Sequence, residues 1–458
     1  MGRKRQNIQM LLAFAESERG EASGNHGEGT ERPMTGPDAE RPADTGRLME
    51  EVCERENLWQ ALKRVRRNRG SPGIDGMTVE TIGSYLKEHW PAIRTELLAG
   101  TYRPQPVKRV EIPKPGGGMR KLGIPTVLDR FIQQAVMQVL QRRWDPTFSE
   151  HSYGFRPGRS AHAAVAAAQD YLGQGHRWVV DIDLEKFFDR VNHDVLMARV
   201  ARRVSDKRML RLLRAFLNAG VMENGLVGPT HEGTPQGGPL SPLLSNLLLD
   251  DLDRELQRRG LRFVRYADDC NIYVRSERAG LRVMGSITRF LGSRLKLRVN
   301  QSKSAVAQPW KRKFLGFSFY LHREPKRRLA APTLRRFKKR IRELTRRTRG
   351  VGLTRMVDDL SRYLLGWRGY FGFCQTPKVL RNLDMWIRRR LRVAIWKQWP
   401  RGRTRFVELR KRGVSVRWAG LVAGSSRGPW VLSRSPAMRA AFPPAYFDAL
   451  GLPRLASQ

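Results

Sequence analysis

Arg265-Tyr266-Ala267-Asp268-Asp269-Cys270 stands between two short apolar runs, 261–264 and 271–274, each of strand length, with small and acidic residues at the bend. The pattern predicts a β-hairpin with adjacent carboxylates at its tip. Side chains alternate along extended chain, so Asp268 and Asp269 diverge unless the turn twists them together. Asp-Asp is also ordinary turn chemistry. Two anions held at the end of a rigid hairpin repel each other unless a cation sits between them, and hard oxygen donors favour Mg²⁺ over zinc.

A second acidic strand end lies upstream. Trp178-Val179-Val180-Asp181-Ile182-Asp183-Leu184 is an apolar strand pattern carrying Asp181 and Asp183 on one face, because residues i and i+2 share a side. Alternation does not choose between the two. The run leads into Glu185-Lys186-Phe187-Phe188-Asp189, where a helix can begin. Two sheet elements that each end in aspartate can assemble a two-metal site for in-line displacement at phosphorus.

Between them lies Gly233-Thr-Pro-Gln-Gly-Gly-Pro-Leu-Ser-Pro242, a turn whose glycines permit close backbone approach to a ligand. Further upstream, Val110 to Pro125 reads as two short strands around Gly116-Gly117-Gly118, a hairpin bearing Lys114, Arg120 and Lys121. In this order and spacing, the motifs resemble the palm and fingers of a reverse transcriptase, more specifically those encoded by bacterial group II introns.

That resemblance implies an α+β fold: a right-hand polymerase with fingers and palm built on antiparallel sheet, followed by an α-helical thumb or maturase domain. It implies RNA-directed DNA polymerase activity, with Asp183, Asp268 and Asp269 catalytic and holding two Mg²⁺, for which Mn²⁺ can substitute. The family places a metal-binding Asp five residues before an aromatic, which selects Asp183 with Phe188, and the peptide oxygen of Leu184 adds a ligand. By the same resemblance Phe188 is the steric gate against a ribose 2′-hydroxyl, and Gln236 and Gly237 lie beside the nascent base pair. Lys303 attends the leaving pyrophosphate, while Arg120 and Lys121 clamp the triphosphate of the incoming deoxynucleotide, a task suited to the planar fork of Arg.

Composition agrees with a polyanionic partner. The 458 residues carry 86 Lys plus Arg against 43 Asp plus Glu, a surplus of 43 positive charges whose self-repulsion destabilises a free compact protein. The surplus is uneven: residues 321–410 hold 27 basic and 6 acidic residues, whereas 1–50 hold 7 and 9. No apolar run approaches the length of a membrane span, so nucleic acid is the expected partner. Cys53, Cys270 and Cys374 are few, far apart and without Cys-x-x-Cys pairing, which predicts a reducing compartment and no zinc site. With no secretory signal in the basic N-terminus, a cytoplasmic location is expected.

Five segments follow. Residues 1–46 are expected to be a disordered tail, since 20–45 hold almost nothing apolar. Residues 47–105 form an N-terminal extension of the fingers, opening on a basic amphipathic helix from Arg47 to Asn68. Residues 106–320 form fingers and palm. Within them, Ser152-Tyr153-Gly154-Phe155-Arg156-Pro157-Gly158-Arg159-Ser160 interleaves aromatics with arginines in a way that suits stacking on bases and backbone contact, so Arg156 and Arg159 are expected on the template side. Residues 321–412 form the helical thumb. There Leu380, Leu383, Ile387, Leu391 and Ala394 trace one apolar face of a helix while Arg388, Arg389 and Arg390 crowd elsewhere, an arrangement that calls for phosphates.

Arg368 within Arg362–Phe371, together with 386–390, resembles the maturase domain of group II intron proteins, which separates them from other reverse transcriptases sharing the palm. Residues 413–458 are expected to bind DNA or RNA, and no His/Cys-bearing nuclease domain follows, which points to the endonuclease-lacking type, most like class C. The partners implied are the group II intron RNA, an RNA template with DNA primer, target DNA and deoxynucleoside triphosphates, with splicing assistance and intron mobility as the purpose. Two other readings are a reverse transcriptase of a host-defence or other non-intron system and a non-catalytic RNA chaperone.

Overall fold

The computed structural model describes residues 45–113, 118–223, 226–228, 232–233, 237–321, 324–346 and 348–456. The tail expected over 1–46 therefore lies outside it except for its last two residues, as do Lys114 and Gln236. The chain forms two compact units, one of residues up to 164 with 179–306 and the other of 165–178 with 307–458. The strands Phe317–Leu321 and Pro325–Leu329, on either side of the expected boundary at 320/321, pair as a two-stranded antiparallel sheet of the second unit.

In the first unit, α1 (Leu48–Cys53) and α2 (Arg55–Asn68) replace the single helix expected over 47–68. Glu54 adopts an extended ψ of 136°, and the Asn57 side chain donates to Val52 O at 2.9 Å, satisfying the end of α1. Helix α3 (Ile82–Ala99) follows. Strands β1 (Val107–Pro113) and β2 (Met119–Ile124) form the expected antiparallel hairpin, with Ile112 opposite Arg120 and Glu111 opposite Lys121. They join β4 (Val221–Glu223) and β5 (Leu226–Gly228) in a sheet of order β2-β1-β4-β5.

Helix α4 (Val127–Trp144) is buried along most of its length and is capped by Thr126, whose Oγ1 accepts from Asp129 N. A second sheet has the order β6-β7-β3-β8, from β3 (Trp178–Ile182), β6 (Arg262–Tyr266), β7 (Asp269–Val274) and β8 (Ala305–Ala307). Strands β6 and β7 are joined by the two-residue loop Ala267-Asp268, closed by the Tyr266–Asp269 pair.

The loop is anchored from behind by Ser241–Arg258, a leucine-rich helix with Asn246, Asp250 and Asp253 on its buried side. Arg265 is fully buried, and its Nε and Nη2 donate to the two carboxylate oxygens of Asp253 at 2.8 and 2.5 Å. Its Nη1 donates to Asn246 Oδ1 and to Ala267 O, both at 2.9 Å, so the guanidinium holds the carbonyl of the residue just before Asp268. Asn246 Nδ2 in turn donates to Gly154 O at 2.8 Å. The backbone of Gly154 lies so close to Ala267 N that a side chain there would overlap it. The main chain of Arg265 pairs with the same segment, accepting from Tyr153 N and donating to His151 O.

The second unit is mainly helical. Helices Ala331–Leu344, Leu353–Phe371 and Pro377–Gln398 bury Phe337, Ile341, Leu360, Leu364, Leu383 and Ile387, and short helices follow to Ala449. Phe337 and Trp367 approach to 4.3 Å between ring centroids, and Trp367 and Phe371 to 4.9 Å. The apolar face expected on the last long helix is the buried one: Leu380, Leu383, Ile387, Leu391 and Ala394 are all inside. Among the described residues no helix is long and apolar enough to cross a membrane.

Asp253→Ala leaves Arg265 as an uncompensated buried charge and is expected to cost about 3–5 kcal/mol, whereas the double change Asp253→Leu with Arg265→Met regains most of that loss. Urea unfolding of the two variants checks this; equal destabilisation of both contradicts it.

Candidate active site

Asp268 occupies the second position of the loop, immediately after Ala267, whose φ of +57° puts it in the left-handed region. A non-glycine residue there is strained, and the Arg265 guanidinium on its carbonyl together with Gly154 against its nitrogen holds it in place. The Asp268 carboxyl is pushed above the ordinary carboxylate range, mainly by burial. A hydrogen bond from its own backbone opposes the shift, the nearby charge of Asp183 adds to it, and Arg120 and Arg265 hold it down. Asp268 thus feels charges from two distant stretches of sequence, those of Arg120 and Asp183.

Asp183 follows directly on β3. Its backbone N donates to Ser304 Oγ at 2.9 Å, its carbonyl accepts from Asn300 N at 2.8 Å, and Lys303 Nζ lies 3.7 Å from its Oδ1. Leu291–Leu295 winds as a π-helical turn, Lys296 is left-handed, and the chain then meets the Asp183 segment through the single bridge between Leu184 and Val299. The bonds of that bridge run through Asp183 O and Glu185 N, not through the carbonyl of Leu184. Asp181 is buried beside the half-exposed Asp183.

Oxygen donors of this kind suit a hard divalent cation. A ready-made cage is another matter. Among the described residues, no three His, Cys, Asp or Glu side chains come together as a metal cluster. Asp183 acts on the charge of Asp268, and the backbone of Asp269 pairs with that of Tyr266 at the base of the loop.

Other expected residues fall into three groups. Arg120 on β2 is exposed and acts on Asp268, whereas Lys121 forms ion pairs with Glu111 at 3.7 Å and Glu223 at 3.9 Å. Phe188 is half-buried, its ring 5.2 Å from that of Phe187 in a short 3₁₀ turn. Gly237 has φ +141° and would bring a side chain to 2.7 Å from Gly123 O, so the close approach its glycine permits is to the fingers hairpin.

Several arginines expected at the nucleic acid are used by the fold. Arg156 is buried, donating to both Asp145 carboxylate oxygens and to the carbonyls of Asp145, Ser149 and Ser152, which replaces its expected template contact with a structural one. Arg389 lies 3.5 Å over the Trp430 ring and donates to Trp430 O and Ser433 Oγ. Arg390 donates to Thr345 Oγ1 at 2.5 Å. Arg159 stays exposed, and Arg368 and Arg388 are half-buried, with Arg388 lining a groove of about 470 Å³ beside Arg434 and Arg439.

The residues missed from sequence are Asn246 and Asp253. Their signal was polar side chains at helical spacing on the buried face of a helix that is otherwise leucine.

Comparison with known proteins agrees with this geometry. Residues 112–319 match the reverse transcriptase (RNA-dependent DNA polymerase) family, and residues 334–413 match the group II intron maturase-specific domain. Protein YkfC of Escherichia coli is 34% identical over 300 residues, covering 57% of this chain and 79% of YkfC. The group II intron-encoded protein LtrA of Lactococcus lactis is 37% identical over 220 residues, covering 48% of this chain and only 36% of LtrA. Among solved structures, a chain of a partial Cas6-RT-Cas1–Cas2 complex matches at 23% identity with a TM-score of 0.36, over 55% of this chain and 43% of that one, too distant to bear on the fold. The chain belongs to the group II intron type of reverse transcriptases, RNA-directed DNA polymerases that carry a maturase-specific domain.

Proposed function

We propose that the chain copies a group II intron RNA into DNA by adding deoxynucleotides to a primer 3′-hydroxyl, and that its second unit binds the intron RNA to assist splicing and mobility. What supports the catalytic half is a loop locked by Arg265 and Gly154 that holds Asp268, with Asp183 and Arg120 near enough to act on its charge and Lys303 3.7 Å from Asp183. Asp183, Asp268 and Asp269, with the peptide oxygen of Leu184, would hold two Mg²⁺. When bound, such ions supply activation of the attacking oxygen and stabilisation of the leaving one.

The chain's own residues do the rest. Arg120 and Lys121 grip the triphosphate, Lys121 exchanging Glu111 and Glu223 for phosphate oxygens. Lys303, already beside Asp183, stands where charge accumulates on departing pyrophosphate. Phe188, directly after the Asp183 turn, closes the space a ribose 2′-hydroxyl would need, while Gln236 and Gly237 border the nascent pair. In the second unit, Arg368, Arg388, Arg434 and Arg439 meet RNA phosphates, while Arg389 and Arg390 act by shaping the surface between them.

Primer extension on an RNA template tests this. Asp268→Ala is expected to lower the rate by roughly a hundredfold or more, the scale of losing one preorganised electrostatic stabiliser, and unchanged synthesis overturns the reading. Phe188→Ala should raise ribonucleotide incorporation at unchanged metal demand; equal sugar selectivity removes the gate. In EDTA, Asp268→Asn should melt above wild type because a repelled, half-buried charge is gone, and Mg²⁺ should then stabilise wild type but not the variant. A variant less stable than wild type without metal contradicts the electrostatic account.

A further inference from the structure

Phe155 is 53% exposed, although Gly154 before it and Arg156 after it are buried. A lone exposed aromatic needs no explanation by itself. This one has a φ of +58°, in the left-handed region where a bulky side chain is an outlier and where glycine or asparagine would fit without strain. The segment holds it there rigidly. Asn246 binds Gly154 O, Gln141 Nε2 donates to Phe155 O at 3.4 Å, and the Arg156 guanidinium fastens the next residue to Asp145. The ring is thus presented outward by the same network that fixes the active-site loop, and it stands 6.4 Å from the ring of Tyr266, which closes that loop.

We infer that Phe155 is a stacking platform for an unpaired nucleobase of the template strand, at the point where it enters the growing duplex. This rests on the polymerase reading. Every base presents a π-face, so such a platform binds without regard to sequence. A free nucleotide fits less well: the cations suited to a triphosphate lie on Met119–Ile124, whereas this segment offers one exposed guanidinium, Arg159, beside the Tyr153 ring. One ring and one phosphate contact per step describe a strand.

The experiment uses the full chain and fluorescence anisotropy with two labelled RNA–DNA duplexes, one with a 5′ template overhang and one blunt, without nucleotide. Phe155→Ala should weaken binding to the overhang duplex by roughly 5- to 100-fold, the range for losing one stacked base, and leave the blunt duplex within about twofold. Phe155→Gly removes the backbone strain and should lose the same affinity without loss of melting temperature. Phe155→Trp should restore overhang binding. The salt slope should be unchanged in Phe155→Ala and shallower in Arg159→Ala.

Equal loss on both duplexes, no loss on either, or no rescue by tryptophan overturns the platform. If wild type neither binds the overhang duplex nor extends it, the polymerase reading fails as well. Wild-type extension with unaltered binding by Phe155→Ala removes this inference alone.

Discussion

Arg265 carries its charge where no solvent reaches, and the hairpin that bears Asp268 has its shape because acceptors surround that charge. Four donated hydrogen bonds, two to Asp253, one to Asn246 and one to Ala267 O, convert a buried cation from a liability into a bracket between helix and loop. The bracket sets a left-handed Ala267, and that residue aims Asp268. A loop free to relax would separate the carboxylates; one held by a packed helix keeps Asp268 where Asp183 and Arg120 can act on it.

Arginine does two jobs in this chain, and the sequence mixes them. Arg156, Arg265, Arg389, Arg390 and Arg392 spend their donors on the protein itself. Others, Arg159 among them, face outward and supply the field that draws in a polyanion. The net surplus therefore overstates the binding surface while still dictating its sign. Hydrogen-bond partners separate the two classes, because a guanidinium whose donors are spent on protein acceptors, as in Arg389 and Arg390, has no fork left for phosphate.

The palm hairpin, the fingers hairpin and the long helices of the second unit were legible because each has a periodicity or turn signature of its own, as Leu380 to Ala394 illustrates. The break at Glu54 was not, since it depends on Asn57 reaching back to Val52 O, a contact with no local signature. Nor was the fate of Arg156, whose neighbours in sequence look like a nucleic-acid motif. Asp183 and Asp268 were identified by family pattern, but their electrostatic contact is tertiary.

The central claim is that Asp183 and Asp268 share one electrostatic site. A double-mutant cycle on unfolding free energy, with Asp183→Asn and Asp268→Asn singly and together in EDTA at low salt, measures it directly. The account predicts that either substitution alone relieves the repulsion, leaving a coupling of about 0.5 kcal/mol or more between the positions. Strict additivity would mean the two carboxylates do not sense each other, and would contradict it.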